Sequence, residues 1–321
     1  MGKIKLIAQL IIGLIVIAVV LYFLNIENVI KTLTSIDIRF FVLAMCAYVV
    51  MNALMAFRLK IIFKNTGKKI SLKELLLAQF GGMLASDVTP GRSGYLILPF
   101  LIKDKVPLES GFSAIFGVQI IDFSVKILGS VLAVIFLSSI IKIEAALLWL
   151  VALGITIVII FASLMAFMLW SKRAEGIICY LVKIPIVGKL FSKLVSKMCA
   201  FQHDANKIKS VYPQLIGLTA LTWIAKGFEW TFLGMALGFS FPFYVYMLLQ
   251  PLITILQFVP ISPAGLGFQE SGGMIVFLLL GVPIASAFVF NLLARIVLII
   301  PNIIGIYPLT KKGINVFDIK E

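Results

Sequence analysis

The feature that most constrains this chain is Ala145–Trp170, a run of 26 residues without a single charge. At about 1.5 Å of rise per residue, a helix of that length exceeds the ~30 Å hydrocarbon core of a bilayer. Two other runs are nearly as bare: Leu6–Leu24, interrupted only by Gln9, and Phe40–Phe57, which holds one amide, Asn52. Inside lipid every backbone donor and acceptor must be satisfied within the chain, so only helices and closed barrels span it. Runs this long select helices. The fold class is therefore all-α, a polytopic integral membrane protein.

Composition agrees where it matters. Hydrophobic residues make up 61% of the chain, charged residues 13%, and the mean hydropathy is +1.12, too little polar surface to coat a soluble globule. Lys3 and Lys5 ahead of an apolar stretch could announce a signal peptide. The stretch is too long for that, and no small-x-small site precedes Asn25, so a first transmembrane helix is expected. Cys46, Cys179 and Cys199 have neither even number nor metal spacing, and His203 is the only histidine. Neither a disulfide framework nor a metal or other cofactor is expected.

The charge balance, 28 Lys and Arg against 14 Asp and Glu, could suggest nucleic acid, but the positions argue otherwise. Arg58, Lys60, Lys64, Lys68, Lys69 and Lys73 fall together between two apolar runs; a second cluster runs from Lys172 to Lys209; Lys311, Lys312 and Lys320 close the chain. By the positive-inside rule these stretches and both termini face the cytoplasm of a cell (plasma or inner) membrane. The loops 25–39, 142–144 and 238–246 are then outside. Within the second basic cluster, Val182, Ile186, Leu190, Leu194 and Met198 recur every fourth residue among lysines. This predicts an amphipathic cytoplasmic segment over about 174–210.

The halves of the chain resemble each other. Thr89-Pro-Gly-Arg-Ser-Gly94 parallels Ser262-Pro-Ala-Gly-Leu-Gly267, and Val106-Pro-Leu-Glu-Ser-Gly-Phe112 parallels Val282-Pro-Ile-Ala-Ser-Ala-Phe288. The two pairs keep nearly one offset, so an internal repeat is expected, over about 40–140 and 211–310 of a single domain covering 1–321. The basic loops then place both ends of Leu72–Ile102 inside and both ends of Phe241–Leu280 outside. The expected architecture is about six full spans plus two re-entrant broken hairpins, inverted with respect to each other. Should Phe241–Pro260 cross fully, the count changes. Breaks at membrane depth persist only where they are buried or line a cavity. Half-helix N-termini there, near Ser93 and Gly267, suit an anionic group.

Ionisable residues inside spans are functional candidates by default. Asp87 and Arg92 flank the first break, and Glu270 follows the second. Asp122 and Lys126 are four apart, and Lys226 and Glu229 three apart, so each pair can neutralise itself along its own helix. Arg92 and Arg295 have no acid within four residues on their own helices. The planar guanidinium fork suits phosphate, and one arginine per repeat suits a lipid phosphate. As an alternative, Arg92 pairs with Asp87 or Asp122, and Arg295 with Glu270 or Glu229, as tertiary glue. The expected headgroup site is Arg92 and Arg295 with Thr89, Gly91, Gly94, Ser262, Gly265 and Gly267. The expected polar path is Asp87, Asp122, Lys126, Lys226, Glu229 and Glu270.

The strings Thr89-Pro-Gly-Arg-Ser-Gly94, Ser262-Pro-Ala-Gly-Leu-Gly-Phe-Gln-Glu270 and Gln119-Ile-Ile-Asp122, with Arg295 and Pro301, resemble the lysylphosphatidylglycerol synthase transmembrane family. This is the flippase-like membrane region of the bacterial multiple peptide resistance factor, also found free-standing. The resemblance runs from about Ile4 to Lys312 and carries over Arg92, Asp122, Glu270 and Arg295. Tyr95, Val118, Gln119 and Gln269 depart from it, standing where the family often has Glu, Glu, Arg and Arg. The soluble synthase arm and any glycosyltransferase arm have no counterpart here. The resemblance implies a non-enzymatic lipid flippase for an anionic, aminoacylated or polyprenyl-phosphate-linked lipid. The rival readings are an integral-membrane lipid-modifying transferase and a non-transporting partner of a separate lipid-modifying enzyme. Homo-oligomerisation is left open.

Overall fold

The computed structural model describes residues 26–140, 145–171, 200–258, 262 and 265–313, together with Ala18, Tyr22 and Arg173. The expected first span, Leu6–Leu24, and most of the expected amphipathic segment lie outside the described residues. All regular structure among the described residues is helical.

Helix α1, Ile26–Thr34, leads through a short turn into α2, Ile38–Asn65. Asp37 caps α2, its carboxylate accepting from the Arg39 N–H at 2.9 Å. Helix α3, Leu72–Asp87, starts from a reciprocal cap in which Ser71 Oγ accepts from the Glu74 N–H and Glu74 accepts from the Ser71 N–H. It stops at the first break. Beyond the break come a tight turn, Ser93–Ile97, and the single helical turn α4, Leu98–Leu101. Two long helices follow: α5, Leu108–Ile140, and α6, Ala145–Trp170.

The second half begins with α7, Tyr212–Ala236, then α8, Phe243–Thr254, which tightens into a 3-10 turn over Ile255–Phe258. After the second break comes α9, Phe268–Leu279, and then α10, Ile284–Asn302. The last helix continues through Ile303–Gly305 into α11, Ile306–Lys311.

Among the described residues, four stretches are long and apolar enough to cross a membrane: Ile38–Asn65, Leu108–Ile140, Val151–Trp170 and Ile284–Lys311. Tyr212–Ala236 is of similar length but carries Lys226 and Glu229. The shorter Phe243–Phe258 and Phe268–Leu279 fall below the ~20 residues a full crossing takes. One expectation is corrected. The arm after the first break is not a regular helix from Ser93, because Gly94 is drawn back onto α3, and the chain tightens into a 3-10 turn. A Cβ on Gly94 would lie 2.2 Å from the Ala85 carbonyl oxygen.

Helices α2 and α7 pack along each other at the centre, and α10 leans on α1, α2, α3 and α9. Trp230, Phe290, Phe277 and Tyr246 fill the space between α7, α8, α9 and α10. Helix α6 stands at the edge, held by α5 and by 255–258. It turns Trp149, Leu153, Ile160 and Leu164 outward, an apolar face that water would not tolerate at this size.

The basic loops meet at one end of the bundle. Asn65 donates to the Lys207 carbonyl at 2.8 Å, and Lys312 pairs with Asp104. Hydrogen bonds from Ser71, with Lys105 and Lys311 nearby, hold the Glu74 carboxyl below its ordinary pKa; the Lys312 ammonium does the same for Asp104. At another junction the Asp37 N–H donates to the Ala236 carbonyl at 3.0 Å, tying the start of α2 to the end of α7.

Candidate functional site

A cavity of about 300 Å³ opens between the two breaks. Its wall comes from α2 (Tyr48, Met51, Arg58), α5 (Gln119, Asp122, Lys126), α7 (Thr219, Trp223, Lys226), both breaks and their arms (Gly91, Arg92, Tyr95, Thr254, Gln257, Gln269), and α6 (Phe161, Met165). Four cationic side chains and one acidic one reach this wall.

Backbone strain sits at its rim. Gly91 and Arg92 both adopt the left-handed conformation, φ 58° and 57°, and Arg92 is the one non-glycine residue to do so among the described residues. For a residue with a Cβ this costs of order 1–2 kcal/mol, and such strain clusters at functional sites. The turn is fixed by Thr89, whose Oγ1 accepts from the Gly94 N–H at 2.7 Å and donates to the Ala85 carbonyl at 2.9 Å. The second break is closed by another hydroxyl: Ser262 Oγ donates to the Leu266 carbonyl at 2.7 Å. Gly265, at φ 69°, lies so close to the chain before the break that a Cβ would come within 2.8 Å of Gln257 Cα. Glu270 then accepts from the Gly267 N–H at 2.7 Å and caps α9. Thr89, Gly94, Ser262, Gly265 and Gly267 thus shape the turns, whereas Gly91 and Arg92 reach the cavity.

One chain of polar contacts joins the breaks. Asp87 accepts from Arg92 at 3.5 Å and from the Asn302 amide at 2.7 Å. Arg92 donates to Gln257 Oε1 at 2.6 Å; the Gln257 amide donates to Gln269 Oε1 at 2.5 Å; Arg295 reaches the same oxygen at 3.4 Å. Arg295 Nε also pairs with the Glu270 carboxylate, both side chains almost wholly buried. Arg295 does not reach the cavity wall. Its geometry is that of the tertiary-glue alternative.

The two i-spaced pairs behave differently from each other. Lys226 does pair with Glu229 on its own helix, at 2.6 and 2.7 Å, and lies 5.4 Å from the centre of the Tyr48 ring. Asp122 turns away from Lys126. It takes a two-pronged contact from Arg58, at 2.6 and 3.0 Å, and Arg58 donates also to Thr219 Oγ1 at 2.6 Å. Lys126 donates instead to Thr254 Oγ1 at 3.1 Å and lies 5.8 Å from the centre of the Phe258 ring.

Arg58 is the residue that sequence reasoning misplaced. It was grouped with the basic cytoplasmic loop, yet its side chain is 1% exposed. A signal existed: Leu59, Ile61, Ile62 and Phe63 follow it, so the apolar face of α2 continues well past the arginine. Among the described residues no three His, Cys, Asp or Glu side chains converge in a way that could hold a metal ion.

A bundle of apolar helices, broken twice and enclosing a cationic cavity at the breaks, defines a class: a polytopic membrane protein with a polar compartment inside its apolar shell. Residues 6–305 match the lysylphosphatidylglycerol synthase TM region, and the chain belongs to that family. It is similar to the UPF0104 membrane protein PH1989 of Pyrococcus horikoshii, 25% identical over 92% of this chain and 94% of the relative. It is also similar to the UPF0104 membrane protein MJ1595 of Methanocaldococcus jannaschii, 22% identical over 92% of this chain and 91% of the relative. No solved structure gives a significant match.

Proposed function

We propose that this protein is a lipid translocator that passes a polar headgroup through the cavity between its two breaks while the acyl tails stay in the bilayer. The observation that carries this reading is the cavity itself: four cationic side chains line it, with Arg92 held there in a strained backbone. Interior charge in a membrane protein is expensive and marks a path for something polar.

Three further features support it. Each half runs helix, half-helix, break, half-helix, helix: α2 to α5 and α7 to α10. With the basic loops at the cytoplasmic face, α3 enters from inside and α8 from outside. That is the inverted repeat by which many transporters offer one site to either side in turn. Three of the four positions that depart from the family pattern, Tyr95, Gln119 and Gln269, lie on the cavity wall. The headgroup would therefore be specific to this branch of the family. Arg92 and Gly91 meet the headgroup in this reading; Arg295, Glu270 and Gln269 hold the second break in register with the first.

The test is leaflet exchange in proteoliposomes, read by chemical quenching of a headgroup-labelled phospholipid in the outer leaflet. The wild-type protein should let nearly all of the label become accessible. Arg92→Gln should slow exchange by an order of magnitude or more, while the circular dichroism and elution volume of the protein stay unchanged. Undiminished exchange in Arg92→Gln would sink the role given to Arg92. No exchange by the wild-type protein with any phospholipid would sink the translocator reading.

A further inference from the structure

The charges around the cavity and the breaks do not cancel. Arg58 pairs with Asp122, Arg92 with Asp87, Lys226 with Glu229 and Arg295 with Glu270. These four pairs use every acid around the cavity and the breaks, and Lys126 is left over; Asp204, buried elsewhere, accepts from Ser110 Oγ. No carboxylate among the described residues lies within ion-pair distance of its Nζ. Its partners are neutral: the Thr254 hydroxyl and the face of Phe258. The Gln250 amide, donating to that hydroxyl at 3.2 Å, adds further positive potential.

Asp122, one turn back on the same helix, could have neutralised Lys126 but is claimed by Arg58 through both of its oxygens. An ammonium without a counter-charge costs several kcal/mol when removed from water. Beside a cavity, an anion brought in from outside can complete the pair.

We propose that Lys126 and Arg92, both lining the cavity, take the phosphodiester of a lipid headgroup carrying one net negative charge, and that the cavity discriminates against aminoacylated, cationic headgroups. This rests on the reading of the cavity as a headgroup compartment. The sign follows from the charge count. A singly negative headgroup brings the groups around the cavity to neutrality, a zwitterionic one leaves the excess in place, and a cationic one adds to it. Arg92 supplies a flat donor surface on one side; Lys126 supplies a compact, strongly hydrated charge on the other. Thr254 and Gln257, which hold Lys126 and Arg92 by hydrogen bonds, line the same cavity.

The test is binding rather than transport, so that its failure and that of the translocator reading can be told apart. The full-length protein in uncharged detergent is titrated with short-chain phosphatidylglycerol, phosphatidylcholine, lysyl-phosphatidylglycerol and inorganic phosphate, by calorimetry. Phosphatidylglycerol should bind best and the lysyl ester worst. Lys126→Gln should weaken phosphatidylglycerol about tenfold to a hundredfold, the worth of a charge-assisted contact, and leave phosphatidylcholine unchanged. Lys126→Arg should restore most of the preference.

Without ligand, Lys126→Met should melt no lower than the wild type, because it removes a charge that no acid among the described residues balances. A marked drop in its melting temperature would mean the protein itself completes the pair, and the proposal would fall. Equal binding of the three lipids, or an unaltered preference in Lys126→Gln, would also overturn it. Inorganic phosphate binding as tightly as phosphatidylglycerol would replace the lipid by a free anion. Selective binding without leaflet exchange would leave this site standing and remove the translocator reading; exchange indifferent to headgroup charge would do the reverse.

Discussion

The two breaks solve one problem with opposite distributions of charge. The first puts a long cationic side chain on a left-handed residue and presents it to the cavity; Asp87 meets that guanidinium at 3.5 Å while remaining tied to Asn302. The second has glycine at its left-handed positions, Gly265 and Gly267, and its ionic pair, Glu270 with Arg295, is turned into the protein. A loosely held cation at a cavity can exchange its partner for a ligand. A tightly held pair under a helix end cannot, and serves to keep the turn in place. The difference divides the arginines that the sequence treats alike into one that meets the cavity and one that positions the second break.

The largest expected effect comes from breaking the buried pair. Arg295→Met should destabilise the protein by about 3–5 kcal/mol, because it leaves Glu270 charged and buried without a partner. Thermal unfolding in detergent measures this. The double variant with Glu270→Met should recover much of the loss, and strictly additive losses would show that the two side chains act independently. An Arg295→Met variant as stable as the wild type would erase the contrast between the breaks.

Next is Gly94→Ala, expected to cost about 1–3 kcal/mol through overpacking, since the new methyl would meet the Ala85 carbonyl and Thr89 Oγ1. The first break owes its shape to that contact. If Gly94→Ala melts with the wild type, the turn is not set there.

The smallest effect belongs to the cap of α3, the helix that carries the first break. Ser71→Ala should cost about 1 kcal/mol. Glu74 is lowered in pKa in the folded protein, so its contribution is complete above its unfolded value. It fades as pH falls through the folded value, below about 4.3. Stability measured from pH 7 to 3 should therefore decline less steeply in Glu74→Gln than in the wild type. Parallel profiles would show that Glu74 does not contribute to the cap.

Much of the architecture was legible in the residues. Ala145–Trp170 and Phe40–Phe57 read as spanning helices because no other structure satisfies a backbone in lipid. The breaks read from Pro90-Gly91 and from Gly265 and Gly267, because these residues cannot continue a helix without cost. The Lys226–Glu229 pair was legible too, three residues apart on one helix. Pairings across helices were not. Asp122 sits four residues from Lys126 and 64 from Arg58, yet it is the distant partner that it meets. Local spacing fixes which side chains share a helix face, and says nothing of which other helix comes to face them.

What the sequence by itself determined is therefore the medium and the raw material: helices in a bilayer, two interruptions, and a handful of charges where charges are costly. Its hydrophobic runs leave no alternative, since transfer free energy acts residue by residue and needs no knowledge of neighbours. What only the tertiary structure decided is the charge count. By packing α2 against α5 and α7 it brings Arg58 inward to Asp122, and a set of charges around the breaks that reads as balanced in the sequence is left with one lysine to spare. Electrostatic pairing depends on distances of a few ångströms between segments far apart in the chain, and only the packed bundle sets those.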